Sequence, residues 1–421
     1  MRCLANKTLH LSTYLSEFIF DQHADLFQAR KFSTRIETIN LHGYKIPQYI
    51  NEFWTAKQRQ ASSIHEISYR ACFKPQLPAF FINLLTRDGD IVYDPFSGRG
   101  TTVIEAGLLS RRIISNDINP LNQILAKPRF FIPRIEDIEE RLNQIRFRKR
   151  IKSDLDLSMF YHPDTLTEIL SLKRYLHDRK EDGSEDMTDR WIRMVATNRL
   201  TGHSSGFFSV YTFPPNQAIT QNEQIRINRK RKQTPEYRDV KKIIFKKTKT
   251  LLRNVTVEQK NSLNKAGNTA LFLTKDAAAT PEIGSETVQL TVTSPPFLDI
   301  VTYSKDNWLR CWFNGMDAEG IADGISTPKS VTDWSEIMGR VFHELYRVTK
   351  KGGWVAFEVG EVRKGTIRLD EYVAPLGINA GFTCEGIVIN LQEFTKTSNI
   401  WGVSNNTDGT NTNRIVLFQK R

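Results

Sequence analysis

Residues 90–120, DIVYDPFSGRGTTVIEAGLLSRRIISNDINP, narrow the choice of fold more than any other stretch of this chain. A short apolar run, Ile91 to Tyr93, leads into a turn holding Gly98 and Gly100. The spacing predicts a helix over Thr102 to Leu109 and a second strand over Ile113 to Ser115. Strand, glycine turn, helix, strand is a βαβ unit. Its strands run parallel, so helices must cover both faces of the sheet that contains them. The same rhythm returns from Thr269. TALFLT, VQLTVT and GGWVAFEVG read as strands, SEIMGRVFHELYRVTK and EYVAPLGINAGF as helices, and GIVINLQEF and NRIVLFQK as two closing strands. An α/β pattern interrupted between about residues 130 and 265 predicts one doubly wound domain with a second module inserted in it. Ahead of it, NEFWTAKQRQASSIHEISYRACFKPQLPAFFINLLT predicts a helix, a break at FKPQLP, and a short apolar helix ending before Arg87.

The glycine turn has chemistry as well as shape. Gly98 and Gly100 allow close approach of a ligand to the backbone, and the N–H groups opening the next helix favour an anionic group. A purely structural turn accounts for GxG equally well. A dinucleotide fingerprint would need a third glycine where Val103 stands, and no GK[ST] phosphate loop is present. The second strand ends in Asn116-Asp117. An acid there can accept both hydroxyls of a ribose, or it can cap the helix INPLNQIL, as Asn119 also could. Loop and acid occurring together at this separation favour the ribose.

A formal charge of +12 suggests a polyanionic partner. Its distribution is uneven: Gln221 to Asn254 holds twelve Lys/Arg against three Asp/Glu. A solvated helix surface is the alternative for such a run. No apolar run reaches the ~20 residues that span a bilayer, and the first residues lack an apolar leader, so the expectation is a cytoplasmic protein without membrane contact. Cys3, Cys72, Cys311 and Cys384 form no CxxC pair, which indicates reduced thiols and no metal site.

A second motif lies in VTSPPFLDIVTYSKDNWLR, Val292 to Arg310. Two consecutive prolines end a strand and hold the chain stiff. DPFSGRGTT with an acidic strand end, followed later by TSPPF, resembles the S-adenosylmethionine-dependent amino-methyltransferases of DNA, over about residues 54–130 and 269–421. The resemblance implies a seven-stranded, mostly parallel methyltransferase sheet with an inserted, basic target-recognition module. It divides the chain into an extension (1–54), a cofactor part (55–130), a recognition region (131–265) and a catalytic part (266–421). It further implies that Asp94, Phe96, Gly98, Gly100, Thr101 and Thr102 hold the methionine portion of S-adenosylmethionine. Phe73 and Pro75 would close over it, Asp117 would take the ribose, and Asp276 would meet the adenine amine.

Ser294, Pro295, Pro296 and Phe297 would then be the catalytic motif. An exocyclic amine is a weak nucleophile because its lone pair is delocalised into the base. The Ser294 hydroxyl oxygen and the Pro295 carbonyl, by accepting its hydrogens, draw the nitrogen towards tetrahedral geometry. Phe297 offers a stacking face for the extruded base. Ser rather than Asp or Asn before Pro-Pro leans towards cytosine N4, with adenine N6, RNA amines and an inactive DNA-binding subunit as the alternatives. Tyr303 and Arg310 are candidates for the flipped nucleotide, while Trp308, Leu309 and Trp312 read as a helix's core face. In the basic run Arg226, Arg229, Lys230, Arg231 and Lys232 are candidate DNA contacts, with Asn228 and Gln233 carrying base-edge chemistry. Ser204, Ser205, Tyr211 and Asn216 are further candidates near the DNA. The implied partners are double-stranded DNA and a cognate restriction endonuclease as a separate protein.

Overall fold

The computed structural model describes residues 11–21, 31–54, 61–70, 72–148, 151, 153–213, 218–296, 303–324, 328, 330–362, 366–391 and 413–421. Among these residues nine strands form the main sheet: β1 (Arg35–Leu41), β2 (Tyr44–Asn51), β3 (Ile91–Asp94), β4 (Arg112–Asn116), β5 (Leu271–Leu273), β6 (Val288–Thr293), β7 (Thr349–Val359), β8 (Thr383–Asn390) and β9 (Asn413–Gln419). Their spatial order is β1-β2-β8-β9-β7-β6-β3-β4-β5. β3 pairs in parallel with β4 and β6, β4 with β5, β6 with β7, and β2 with β8. β9 runs antiparallel between β7 and β8. Strand order reverses at β3, so β3 and β6 diverge at their carboxyl ends and leave a crevice there.

The sheet is doubly wound and mostly parallel as expected, with nine strands in place of seven. The two extra strands come from residues 35–51, whose role the sequence left open. His42 and Gly43 hold φ of 50° and 88°, the pair of left-handed residues that a tight hairpin needs. The hairpin lays β2 along β8, burying Ile46, Tyr49 and Ile50. The helix expected from Asn51 is absent from the described residues. Asn51 ends β2, and the Phe53 and Trp54 N–H groups donate to Asn390 Oδ1 at 2.7 and 3.2 Å.

Helices cover both faces. α1 (Gln76–Leu85), α2 (Thr101–Leu108), α3 (Met187–Arg199), α4 (Gln221–Arg231), α5 (Val240–Leu252), α6 (Tyr303–Phe313) and α7 (Val331–Val348) are the ones that matter below. On one face Phe80, Phe81, Val103 and Ile104 share a core with Leu290 and Val292 of β6. Trp191, Ile192 and Val195 of α3 join that same core, so the long β4–β5 crossover, residues 117–270, is packed onto the sheet. Trp191 is fully buried there, and its indole donates to Thr248 Oγ1 at 3.1 Å. On the other face Trp334, Met338, Val341 and Phe342 of α7 pack on Tyr93, Val355 and Phe357. Each large apolar side chain so buried contributes about 1.5–3 kcal/mol. No helix among the described residues is long and apolar enough to cross a membrane.

Candidate active site

β3 ends at Asp94 inside the crevice. Its Oδ1 accepts from the Phe96 N–H at 3.2 Å and from the Thr293 hydroxyl, at the end of β6, at 2.6 Å. Burial outweighs these bonds and raises the Asp94 pKa to about 7. Gly98 and Gly100 then turn the chain at φ of 53° and 81°. At Gly100 a Cβ would stand 2.7 Å from that of Ala126, so a side chain is excluded on two counts. Gly98 N–H donates to Asp117 Oδ2 at 2.7 Å, and Asn119 N–H to Asp117 Oδ1 at 2.9 Å. Asp117 thus ties the end of β4 to the glycine loop. Asn119 closes the turn that follows, its Oδ1 accepting from the Leu121 N–H at 3.0 Å. Burial also lifts Asp117, to about 6.

A cavity with about 1090 Å³ of space opens over the loop. Tyr69, Cys72, Phe73, Asp94, Phe96, Gly98, Thr101 and Asp117 line it, together with the exposed Asp276. Ser294 and Pro296 reach the same cavity, which Trp334, Ile337, Met338 and Val341 of α7 line with apolar surface. Nine of the residues singled out in the sequence therefore meet in one space: Phe73, Asp94, Phe96, Gly98, Thr101, Asp117, Asp276, Ser294 and Pro296. Others stand behind it. Pro75 is the residue preceding α1, Gly100 packs on Ala126, and Thr102 is buried with its hydroxyl on the Val292 carbonyl at 3.1 Å. Pro295 is buried between Ser294 and Pro296. Phe297 lies outside the described residues, as do Asn216 and the side chain of Tyr303.

The clamp motif has a partner that its own sequence does not announce. The Ser294 hydroxyl bonds the carboxylate of Glu358, which also accepts from Asn413 Nδ2 at 3.0 Å. Glu358 is buried on β7, one residue past Phe357, which pairs with Thr293 on β6. Burial raises its pKa, against both of those hydrogen bonds. The readable signal was a lone acid inside the apolar run WVAFEV. The Trp334 indole, in turn, donates to the Pro296 carbonyl at 2.9 Å.

Arg310, a candidate for the flipped nucleotide, is buried in the structure. α6 turns it inward onto the 61–70 segment, where it donates to Asn307 Oδ1 at 2.7 Å and to the Ser68 carbonyl at 3.1 Å. Its guanidinium lies 5.4 Å from the centre of the Tyr69 ring. Leu309 and Trp312 are buried, as a core face requires. On α4 and just after it, Arg226, Arg229, Lys230, Arg231 and Lys232 all reach the surface, with Arg231 stacked 3.9 Å over Tyr211. Asn228 and Gln233 are not free to read bases. Asn228 donates to the Met159 carbonyl at 2.8 Å and accepts from Gln233 Nε2 at 2.8 Å, and Gln233 also donates to the Tyr211 carbonyl at 2.9 Å. Among the described residues no group of His, Cys, Asp and Glu is arranged to hold a metal ion.

Comparison with known proteins points in the same direction as the site. Residues 27–126, which span β1 to β4 and the glycine loop, match the DNA methylase family of N6/N4 methyltransferases. Over that stretch the chain resembles the N6/N4 amino-methyltransferases of DNA. It is similar to the type II methyltransferase M.BsoBI of Geobacillus stearothermophilus, 24% identical over 72% of this chain and 64% of that protein. It is also similar to the type II methyltransferase M.MjaII of Methanocaldococcus jannaschii, 28% identical over 25% of this chain and 20% of that one. A tRNA (guanine(10)-N2)-dimethyltransferase of the same archaeon is 36% identical over 15% of this chain and 18% of its own length. The matches thus span less than two thirds of each relative.

Proposed function

We propose that this protein transfers a methyl group from S-adenosylmethionine to the exocyclic N4 amine of a cytosine flipped out of double-stranded DNA. One observation carries the reading: a single cavity is bounded both by the glycine loop with Asp117 and by Ser294 and Pro296. The donor set fits such a cofactor. Asp117 presents a carboxylate to two ribose hydroxyls, and the exposed Asp276 suits the adenine amine. Phe73, Asp94, Phe96, Gly98 and Thr101 would hold the methionine portion, with Gly100 and Thr102 shaping the loop behind them. Bound there, S-adenosylmethionine supplies a methyl group made electrophilic by its sulfonium.

The chain's own residues then act on the amine. Because the Ser294 hydroxyl donates its hydrogen to Glu358, the Ser294 oxygen keeps its lone pairs for the amine. The Pro295 carbonyl supplies the second acceptor, stiffened by the proline that follows it. Together they pull both amine hydrogens away from the ring plane and localise the lone pair on nitrogen. Glu358 is the group to which the proton shed by the amine can pass, through the Ser294 hydroxyl. Its raised pKa, a consequence of burial, suits a transient acceptor.

Residues 131–265 we assign to target recognition, 55–130 and 266–421 to methyl transfer, and a separate restriction endonuclease as the natural companion. The surface cations at the end of α4 would meet phosphates. Reversing Arg229, Lys230 and Lys232 to glutamate should flatten the dependence of log affinity on log salt by roughly 0.9 for each phosphate left without its cation. An unchanged slope in filter binding would move the DNA to another face. The reading as a whole is tested by expressing the protein in a host without its own methylation and digesting that host's DNA for nucleoside mass spectrometry. N4-methylcytosine is the expected product. N6-methyladenine would keep the mechanism and replace the base, and no modified base in DNA would overturn the reading in favour of an RNA substrate.

A further inference from the structure

The clamp is held at both ends, and the second holding point lies outside the motif. At its start Thr293 belongs to β6, paired in register with Phe357 of β7. Within Ser294-Pro295-Pro296, the torsions are nearly all restricted. The proline rings fix φ near −65°, and Pro296 confines Pro295 to extended ψ. Besides φ of Ser294, next to the strand end, the soft torsion left is ψ of Pro296, the last of the motif, which sets where its carbonyl points and in what direction the chain leaves the clamp. That carbonyl is the one the Trp334 indole N–H takes, at 2.9 Å.

Trp334 is suited to fix it. The side chain is almost fully buried and sits in the first turn of α7, whose start is set by the Ser330 hydroxyl accepting from the Asp333 N–H at 3.0 Å. Further along α7 it is backed by Met338, Val341 and Phe342 in the core of the sheet's other face. The same indole forms part of the cavity wall. A donor so placed cannot follow the clamp if the clamp rotates. It also occupies an acceptor that would otherwise compete with Ser294 and the Pro295 carbonyl for the amine's hydrogens.

We propose that Trp334 is the positioning residue of the amine clamp: by donating to the Pro296 carbonyl it locks the last free torsion of Ser-Pro-Pro and reserves the first two acceptors for the target amine. The proposal rests on the amine-clamp reading of Ser294 and Pro295. It requires no contact between Trp334 and the base.

The test removes the N–H and keeps the ring. In Trp334→Phe, cofactor affinity by calorimetry should stay within about twofold, while the single-turnover rate of methyl transfer, with DNA and cofactor prebound, falls roughly 5- to 10-fold, as expected when one hydrogen bond is removed. Trp191→Phe, a buried indole donor in the other core, serves as the control and should melt lower without slowing the chemistry. If Trp334→Phe does not fold, placing β-(3-benzothienyl)alanine at position 334 keeps the indole's shape and deletes only the N–H, with the same slowing expected. A rate within about twofold of the parent in either variant overturns the proposal. Ser294→Ala run alongside separates the two ideas. A slow Ser294→Ala beside a normal position-334 variant sinks only the role of Trp334, whereas normal rates in both sink the clamp itself.

Discussion

Ser294→Ala will bind cofactor within about twofold of the parent and transfer the methyl group roughly 10²- to 10³-fold more slowly, the scale on which one preorganised polar group acts in a transition state. The asymmetry follows from where the hydroxyl stands. It faces the cavity from the end of β6 and is held by Glu358, whereas the affinity is assigned to the glycine loop and Asp117. Removing it deletes one acceptor for the amine and takes from the buried Glu358 carboxyl, already raised in pKa, the hydroxyl that it shares with Asn413 as a donor. Rapid-quench single turnovers give the rate, and calorimetry gives the affinity. Parental chemistry in this variant would take Ser294 out of the mechanism.

Asp117→Ala should show the opposite split. Two ribose hydroxyls on one carboxylate, at roughly 1.5–3 kcal/mol for each charged hydrogen bond, put the loss of cofactor affinity at about 100-fold or more. The glycine loop would loosen too, because Gly98 N–H loses its acceptor. Wild-type affinity should also depend on pH, with a sign fixed by the Asp117 environment. In the free protein burial raises this carboxyl to about 6. Hydroxyls donating to the carboxylate favour its ionised form, so binding expels a proton. Affinity should therefore fall as pH drops below about 6 and level off above it. Asp117→Ala should abolish that step. A step nearer pH 7 that survives in the variant would belong to Asp94, which burial raises to about 7. A flat profile in the wild type would detach Asp117 from the ribose.

The parts of this site that could be read in the sequence are those made by neighbours in the chain. Asp94, Gly98 and Gly100 fall within one turn, and their strand, loop and helix follow local rules of period and φ. The match between the predicted VQLTVT strand and β6 has the same origin. What could not be read depends on register between distant segments. Glu358 reaches Ser294 only because β7 pairs with β6 so that Phe357 stands level with Thr293. Arg310 has the helical phase of a surface residue until the 61–70 segment is laid against it, offering the Ser68 carbonyl. Asn228 and Gln233 look like free amides until the Tyr211 and Met159 carbonyls are brought to them. The β1–β2 hairpin was the avoidable miss, since Leu41-His42-Gly43-Tyr44 between two alternating runs is a legible turn.

The antiparallel insertion of β9 between β7 and β8 bears on how the protein is made. A ribosome releases residues 383–390 well before residues 413–419, so for an interval β7 and β8 have no strand to join them and each presents an open edge. Contacts this far apart in sequence close slowly. Asn413, the first residue of the late strand, is also the one that grips Glu358. The nascent chain can thus complete its glycine loop before Asn413 reaches Glu358, and the site is whole only once the sheet has been stitched shut from its middle.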